Sequence, residues 1–269
     1  MEDLSEDEML NSLQRSGYLM ETRIAKIFRD SGFFVEPSVA LLDERTGISR
    51  EVDMTCESYK EGREFDQLCC KTYFITEVIN NKYPIAILGE RHWSPWMAAE
   101  DHYRCRWTPH DEVEIVADLT LKHRETNRLF SQYCCFARKK TKAGELMACH
   151  SDDLHSSIRK SVELTLRQFK SAEWMEESKN IEYWRIFFWR PLIVLHDGLY
   201  LCDESKGVHQ MIKVNAASLE YNFHHEGEPE SIVVDFVVES YLETYLKKQW
   251  EFINILEQGM DSHRSNKSE

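Results

Sequence analysis

The sequence predicts an α/β protein in which a mixed β-sheet is flanked by helices, with additional strands and a helix towards the C-terminus. Two observations carry this prediction. Segments with helical spacing of apolar residues are interspersed with short runs rich in β-branched and aromatic residues. The dipeptide Asp197-Gly198 joins two strand-like runs and favours a tight hairpin, so an all-parallel sheet is excluded.

The N-terminal part reads as one helix followed by strands. Apolar residues recur at helical spacing over residues 6–30, although Gly17 can break or bend this segment. Ser31-Gly32 then provides a helix stop. The strand-like segments that follow cover residues 33–42, 50–57, 73–79 and 85–88.

The middle of the chain, residues 89–150, has the weakest pattern. We interpret it as an insertion or crossover connection that contains one strand, over residues 113–121. A basic run at residues 138–142 is typical of a solvated loop, but it would also suit contact with phosphate groups.

The second half begins with a clear helix from Ser151 to about residue 173. Asp152 and Asp153 stand in its first turn, where acids favour the positive end of the helix dipole. Its apolar stripe consists of Leu154, Ile158, Val162, Leu166 and Phe169. The later strand-like segments are 185–196, 199–203, 209–220 and 231–238, and a final amphipathic helix begins near Tyr241. We therefore expect one domain over residues 1–258 and a flexible tail over 259–269.

Composition narrows the function classes. The formal net charge is −14, which argues weakly against binding of nucleic acid over the whole surface. No run approaches the ~20 apolar residues of a transmembrane helix, so no membrane association is expected. The eight cysteines, together with an acidic N-terminus unlike an export signal, indicate a reducing cytoplasm.

Asp53 and Glu77 are the candidate functional residues. Each lies within a strand-like run, and a buried acid requires compensation by a metal ion or another cation. If the two strands pair, both carboxylates converge on one face, as a magnesium site requires. The alternative is structural: each acid is exposed to solvent or paired with Arg50, Lys71 or Lys82.

These residues resemble a family. The helix bearing Glu21, the string Gly47-x-x-Arg50-Glu51-Val52-Asp53 and the string Glu77-Val78-Ile79-Asn80 are similar to the motifs of the PD-(D/E)xK, or restriction-endonuclease-like, nuclease superfamily. The resemblance covers residues 18–90 and implies an αβββαβ core. It implies that Asp53 and Glu77 bind Mg²⁺ or Mn²⁺, with Glu21 assisting from the first helix.

One position departs from the family pattern. Ile79 stands where the motif has a lysine, and an isoleucine can neither carry charge nor orient a water molecule. Lys82 is the proposed substitute, provided that a turn at Asn80-Asn81 brings it inward.

The resemblance implies a cytoplasmic, bacterial, metal-dependent nuclease that acts on phosphodiester bonds, of DNA rather than RNA. Because of Ile79, two readings stay open: an active enzyme, with Lys82 completing the catalytic set, or a non-catalytic interaction or regulatory module on a nuclease-derived scaffold.

Overall fold

The computed structural model describes residues 4–43, 47–58, 60, 68–91, 104–108, 129–138, 144–173, 175, 184–203, 208–225 and 227–267. Within these residues the chain forms a mixed 12-stranded sheet flanked by helices, which confirms the predicted fold class.

The described helices are α1 (Glu6–Ser16), α2 (Tyr18–Asp30), α3 (Asp152–Ser171) and α4 (Leu242–Lys267), the last preceded by a 3₁₀ turn (Glu239–Tyr241). The strands are β1 (Phe33–Asp43), β2 (Ile48–Ser58), β3 (Leu68–Ile79), β4 (Ile85–Arg91), β5 (Arg104–Thr108), β6 (Leu129–Arg138), β7 (Leu146–Cys149), β8 (Trp184–Leu195), β9 (Leu199–Asp203), β10 (Gln210–Lys213), β11 (Ala216–His225) and β12 (Glu228–Val238).

The sheet combines an antiparallel meander with a parallel centre. Its order is β1-β2-β3-β8-β12-β11-β6-β4-β9-β10, with β5 paired to β8 and β7 paired to β6. β1, β2 and β3 pair antiparallel, whereas β3, β8 and β12 run parallel. The carboxyl ends of these three parallel strands therefore lie side by side, and Glu77 is close to the carboxyl end of β3.

Helices cover both faces of this sheet. The apolar stripe of α3 packs on one face, where Ile158 and Val162 are buried in a cluster with residues of β8, β11 and β12. α2 and α4 pack on the other face, where Phe28 and Leu246 are buried against Phe74 of β3. Each buried aliphatic or aromatic side chain contributes about 1.5–3 kcal/mol, so both helix layers fix the strands between them.

A buried polar network joins β8, β12 and α4. The Arg190 guanidinium, 7% exposed, forms an ion pair with Asp235 and donates to the side chain of Gln249. The Ser218 hydroxyl donates to Asp235 Oδ1 at 2.7 Å, and the Tyr245 hydroxyl donates to Asp235 Oδ2 at 2.8 Å. Three partners, Arg190, Ser218 and Tyr245, thus compensate the buried carboxylate.

Two of the expected elements differ in the structure. The helix expected over residues 6–30 is two helices, because Gly17 adopts φ 93 and ends α1 while it starts α2. Asp197-Gly198 does not form a hairpin between β8 and β9, since β9 pairs with β4 and β10. At its carboxyl end β8 is flanked by β3 and β12, so the chain after the turn pairs in another part of the sheet.

The segment 89–150 is more than an insertion. It contributes β6, which lies inside the sheet between β11 and β4, and β5, which pairs with β8. The strand expected over residues 113–121 lies outside the described residues, as does most of the basic run 138–142. At the other end of the chain, α4 extends through the expected tail to Lys267, with Met260 buried.

Candidate functional site

The site lies where β2 and β3 separate. The last pair of residues in their described ladder is Met54 of β2 and Thr76 of β3. Asp53 and Glu77 are the next residues on the two strands beyond this pair. Beyond this point the Asp53 carboxylate itself accepts a hydrogen bond of 2.7 Å from the backbone N–H of Val78. The Asp53 side chain thus takes the place of a backbone carbonyl as the acceptor for Val78 N–H. Both acids lie where the two strands move apart.

A distortion in the neighbouring strand accompanies this opening. Ser38 of β1, which lies opposite Asp53 in the register, has φ 56. Side chains in a regular strand alternate, so Val52 and Met54 should share a face. Instead, Val52 packs with Leu164 of α3, whereas Met54 packs with the α2 cluster. Such local strain is concentrated at functional sites, which supports a role for Asp53 beyond packing.

Glu77 is almost fully buried, with 2% exposure, on the α3 side of the sheet. Its Oε2 lies 2.7 Å from the Nζ of Lys160 on α3. Its Oε1 is also buried and has no hydrogen-bond partner of good geometry among the residues that the structure describes. The Ser157 hydroxyl is near enough to favour the ionised form of this carboxylate. Oε1 of Glu77 is thus a buried oxygen without a well-aligned hydrogen bond among the described residues.

Lys160 connects the two separated strands. Besides the ion pair with Glu77, its ammonium donates a hydrogen bond of 2.8 Å to the backbone carbonyl of Glu51 on β2. α3 is fixed by its N-cap, where the Ser151 hydroxyl accepts from Leu154 N–H at 3.0 Å, and by its buried apolar stripe. The packing of α3 therefore determines where the ammonium lies.

Glu21 approaches from the first turn of α2. Gly17 ends α1 in the left-handed conformation and lets α2 start next to Asn80; a Cβ on Gly17 would lie 3.7 Å from the Cβ of Asn80. Burial and the charge of Asp53 raise the pKa of Glu21. The structure therefore places Glu21 close enough to Asp53 for the charge of Asp53 to raise its pKa.

Burial and neighbouring carboxylates raise the pKa values of Glu77 and Asp53. Burial, followed by the charge of Asp53, raises the pKa of Glu77 to about 7, although Lys160 and Ser157 act in the opposite direction. Burial also raises the pKa of Asp53, against the Val78 hydrogen bond and the Lys160 charge, which lower it. One ammonium is thus not enough to neutralise this group of carboxylates, and an additional cation would be favourable.

Lys82 does not join this cluster. It is exposed, and its ammonium lies 5.7 Å from the ring centroid of Tyr83. Asn81 holds this turn at the sheet edge, because its side-chain amide donates to the carbonyl of Asp197 at 2.6 Å. The sequence predicts that the turn brings Lys82 towards the acids, and the structure differs. The turn is hydrogen-bonded to the 196–198 loop, and Lys82 is exposed to solvent.

Ile79 has a packing role. It is partly buried against the same apolar cluster that contains Ile158 of α3. The position where the family motif has its lysine is thus part of the core, and the lysine beside Glu77 comes from α3 instead.

The sequence analysis missed Lys160 and Ser157. Both stand beside the apolar stripe of a helix that the sequence predicts well, but a lysine at the edge of a helix face is common and carries no signal of its own. Only the tertiary contact of α3 with β2 and β3 makes Lys160 a candidate.

Comparisons with known proteins do not identify a family for this chain. No family model, curated protein or solved structure matches this chain. None of the described helices is long and apolar enough to span a membrane.

Asp53 and Glu77 carry oxygen donors of the kind that a small divalent cation takes as ligands. Among the described residues, no three His, Cys, Asp or Glu side chains form a complete metal-binding group. Mg²⁺, however, is commonly held by one or two carboxylates together with water and substrate phosphates. Asp53 and Oε1 of Glu77, which has no well-aligned hydrogen bond among the described residues, would be such oxygen donors.

Proposed function

We propose that this protein is a cytoplasmic, metal-dependent nuclease that hydrolyses phosphodiester bonds, with Asp53, Glu77 and Lys160 as its central residues and Glu21 assisting. The observation that supports this proposal is the ion pair between Lys160 and the buried Glu77, at the point where β2 and β3 separate. Two acids and one lysine are thereby collected at one place on the sheet face that carries α3.

Lys160 takes the role that the sequence analysis assigned to Lys82. An ammonium has three N–H donors, and Lys160 directs two of them to Glu77 and to the Glu51 carbonyl. The third can donate to a non-bridging phosphate oxygen or to the attacking water. Such a fixed donor stabilises negative charge that develops in the transition state.

The acids would hold the metal ion and balance its positive charge. Asp53 and Glu77 would hold Mg²⁺ or Mn²⁺, and the bound ion would supply Lewis-acid activation of water and of the phosphate. Glu77 must lose its proton to become a ligand, and its pKa of about 7 places that event in the physiological range. Glu21, with its raised pKa, can hold or accept a proton at the edge of the site.

A second function is supported by the same ion pair. Lys160 compensates Glu77 without any metal, as a purely structural buried pair would. The chain would then be a non-catalytic interaction module on a nuclease-like scaffold, in keeping with its net charge of −14. Metal binding distinguishes the two functions, because a structural pair gives no binding signal that depends on Asp53.

Cleavage of plasmid and single-stranded DNA with Mg²⁺ or Mn²⁺ tests the proposal. We expect nicking or degradation by the wild-type chain and none by Asp53→Asn, which keeps the size of the side chain. If the wild-type chain cleaves neither substrate with either metal while calorimetry detects no metal binding, the nuclease proposal fails.

A further inference from the structure

A cavity opens on the sheet face that carries α3, apart from the acid cluster. Its volume is about 290 Å³, and its lining includes Thr55 and Glu57 of β2, Tyr73 of β3, Phe187 and Trp189 of β8, and Gln168 of α3. None of these residues belongs to the acid cluster. The cavity is large enough to admit one flat ring system, and its walls combine aromatic and polar groups.

Aromatic rings form one wall. Tyr73 and Trp189 are stacked, with ring centroids 5.5 Å apart and planes inclined by 9°. Phe187 meets Tyr73 edge to face at 5.9 Å. Tyr73 and Phe187 are only partly buried, whereas Trp189 is buried beneath them. A planar ligand can therefore stack on Tyr73 and meet Phe187 at an edge, while the buried Trp189 packs against Tyr73.

The polar groups favour a base that carries an exocyclic amine. Glu57 is held in place by the Lys71 ammonium and by the Tyr73 hydroxyl, which donates to Glu57 Oε1 at 3.4 Å. A carboxylate accepts from amino groups such as that of cytosine, whereas uracil and thymine present a carbonyl at the same position. Glu36 adds a second carboxylate to the lining, which disfavours a phosphate inside the cavity.

The cavity lies at a defined spacing from the acid cluster. Tyr73 precedes Glu77 by four residues on β3, which is about 13 Å at the rise of a strand. Gln168 follows Lys160 by eight residues on α3, which is about 12 Å at the rise of a helix. Both elements give the same separation, equivalent to the rise of about three to four stacked nucleotides.

We propose that this cavity binds a single nucleobase bearing an exocyclic amine, stacked on Tyr73, in edge contact with Phe187 and recognised by Glu57. The base can come from an unpaired nucleic-acid strand whose backbone continues to Asp53 and Glu77, or from a free nucleoside. The first source rests on the proposed nuclease function; binding of a nucleoside does not.

Calorimetric titration of the full chain with adenosine, cytidine and uridine tests the cavity itself. We expect adenosine and cytidine to bind at least tenfold more tightly than uridine. Tyr73→Leu should weaken their binding about tenfold because the stacking surface is lost. Tyr73→Phe, the matched control, should stay within twofold, and Glu57→Gln should reduce the preference over uridine. Asp53→Asn should leave nucleoside binding unchanged.

Binding of a short fluorescent single-stranded oligonucleotide identifies the source of the base. If a strand supplies it, Tyr73→Leu weakens oligonucleotide binding about tenfold while Tyr73→Phe does not. If only nucleoside binding changes, the cavity takes a free nucleoside and the strand source is rejected. If neither nucleosides nor the oligonucleotide respond to Tyr73→Leu, the proposal is overturned. A chain without nuclease activity can still bind nucleosides, so this failure is distinct from failure of the nuclease proposal.

Discussion

The Nζ of Lys160 lies 2.7 Å from Oε2 of Glu77, so a helix supplies the cation that compensates a buried acid on a central strand. The same ammonium reaches β2 through the carbonyl of Glu51. The ion pair therefore links three elements at the place where two strands separate, and several measurable properties depend on it.

Stability should depend on pH through Glu77. Its pKa is raised from 4.5 to about 7, so the folded state holds this proton more tightly than the unfolded state does. The resulting stabilisation is complete below about pH 4.5 and is lost as the pH rises through about 7. A shift of this size corresponds to about 3 kcal/mol. Urea unfolding at several pH values should show the decline.

Glu77→Gln provides the control for this effect. The amide is similar in size and does not titrate, so the decline of unfolding free energy between about pH 4.5 and 7 should become shallower by the same few kcal/mol. Equal slopes for the wild-type chain and the variant would show that Glu77 does not titrate in this range.

Removing the ammonium should raise the pKa of Glu77 further. Lys160→Met leaves the buried carboxylate without its cation, which costs about 3–5 kcal/mol when the charge remains. We therefore expect a large loss of stability at about pH 8 and a much smaller loss at pH 5, where the acid is protonated. Urea unfolding at both pH values measures this difference. Lys82→Met, in an exposed lysine, should change neither value by more than about 0.5 kcal/mol.

Metal affinity should rise with pH. Binding at Glu77 requires release of its proton, so the Mn²⁺ affinity should increase about tenfold from pH 6 to 8 and then level off. Calorimetry in two buffers of different ionisation enthalpy counts the protons released. An affinity that is constant over this range, or that survives Asp53→Asn, would place the metal elsewhere.

The buried network on the other sheet face gives an independent test of the fold. Tyr245→Phe removes the hydroxyl that donates to Asp235 and should cost about 1.5–3 kcal/mol, since the bond is to a charged group. Tyr241→Phe removes a hydroxyl whose described partner is the exposed Lys248, and should cost less than about 0.5 kcal/mol. Thermal and urea unfolding should rank the two variants in this order; equal losses would contradict the network.

The helices and strands that bury one face could be predicted from the sequence, whereas the pairing of distant strands could not. The apolar stripe of α3 and the β-branched runs of β2 and β3 identify their elements, because burial of one face imposes a period on the sequence. The partners of β9 were not predictable, since Asp197-Gly198 specifies a turn but not which strand lies beyond it. β6 was missed because its place inside the sheet is set by non-local pairing.

The site was predictable only in part for the same reason. Asp53 and Glu77 stand out because an acid within a strand is unusual and costly. Lys160 is distant in the chain and becomes informative only when α3 packs on β2 and β3. Lys82 looked plausible because it is close in sequence, but the bonds of Asn81 fix its turn away from the acids.

The rate of Mn²⁺-dependent DNA cleavage by Lys160→Met, compared with Lys82→Met and the wild-type chain at pH 8, tests the central claim most directly. Folding of each variant is checked by circular dichroism. We expect Lys160→Met to lose at least about 100-fold in rate, as expected when a donor that stabilises the transition state is removed, and Lys82→Met to retain the wild-type rate. Full activity of folded Lys160→Met, or loss of activity in Lys82→Met, would contradict the assignment of Lys160.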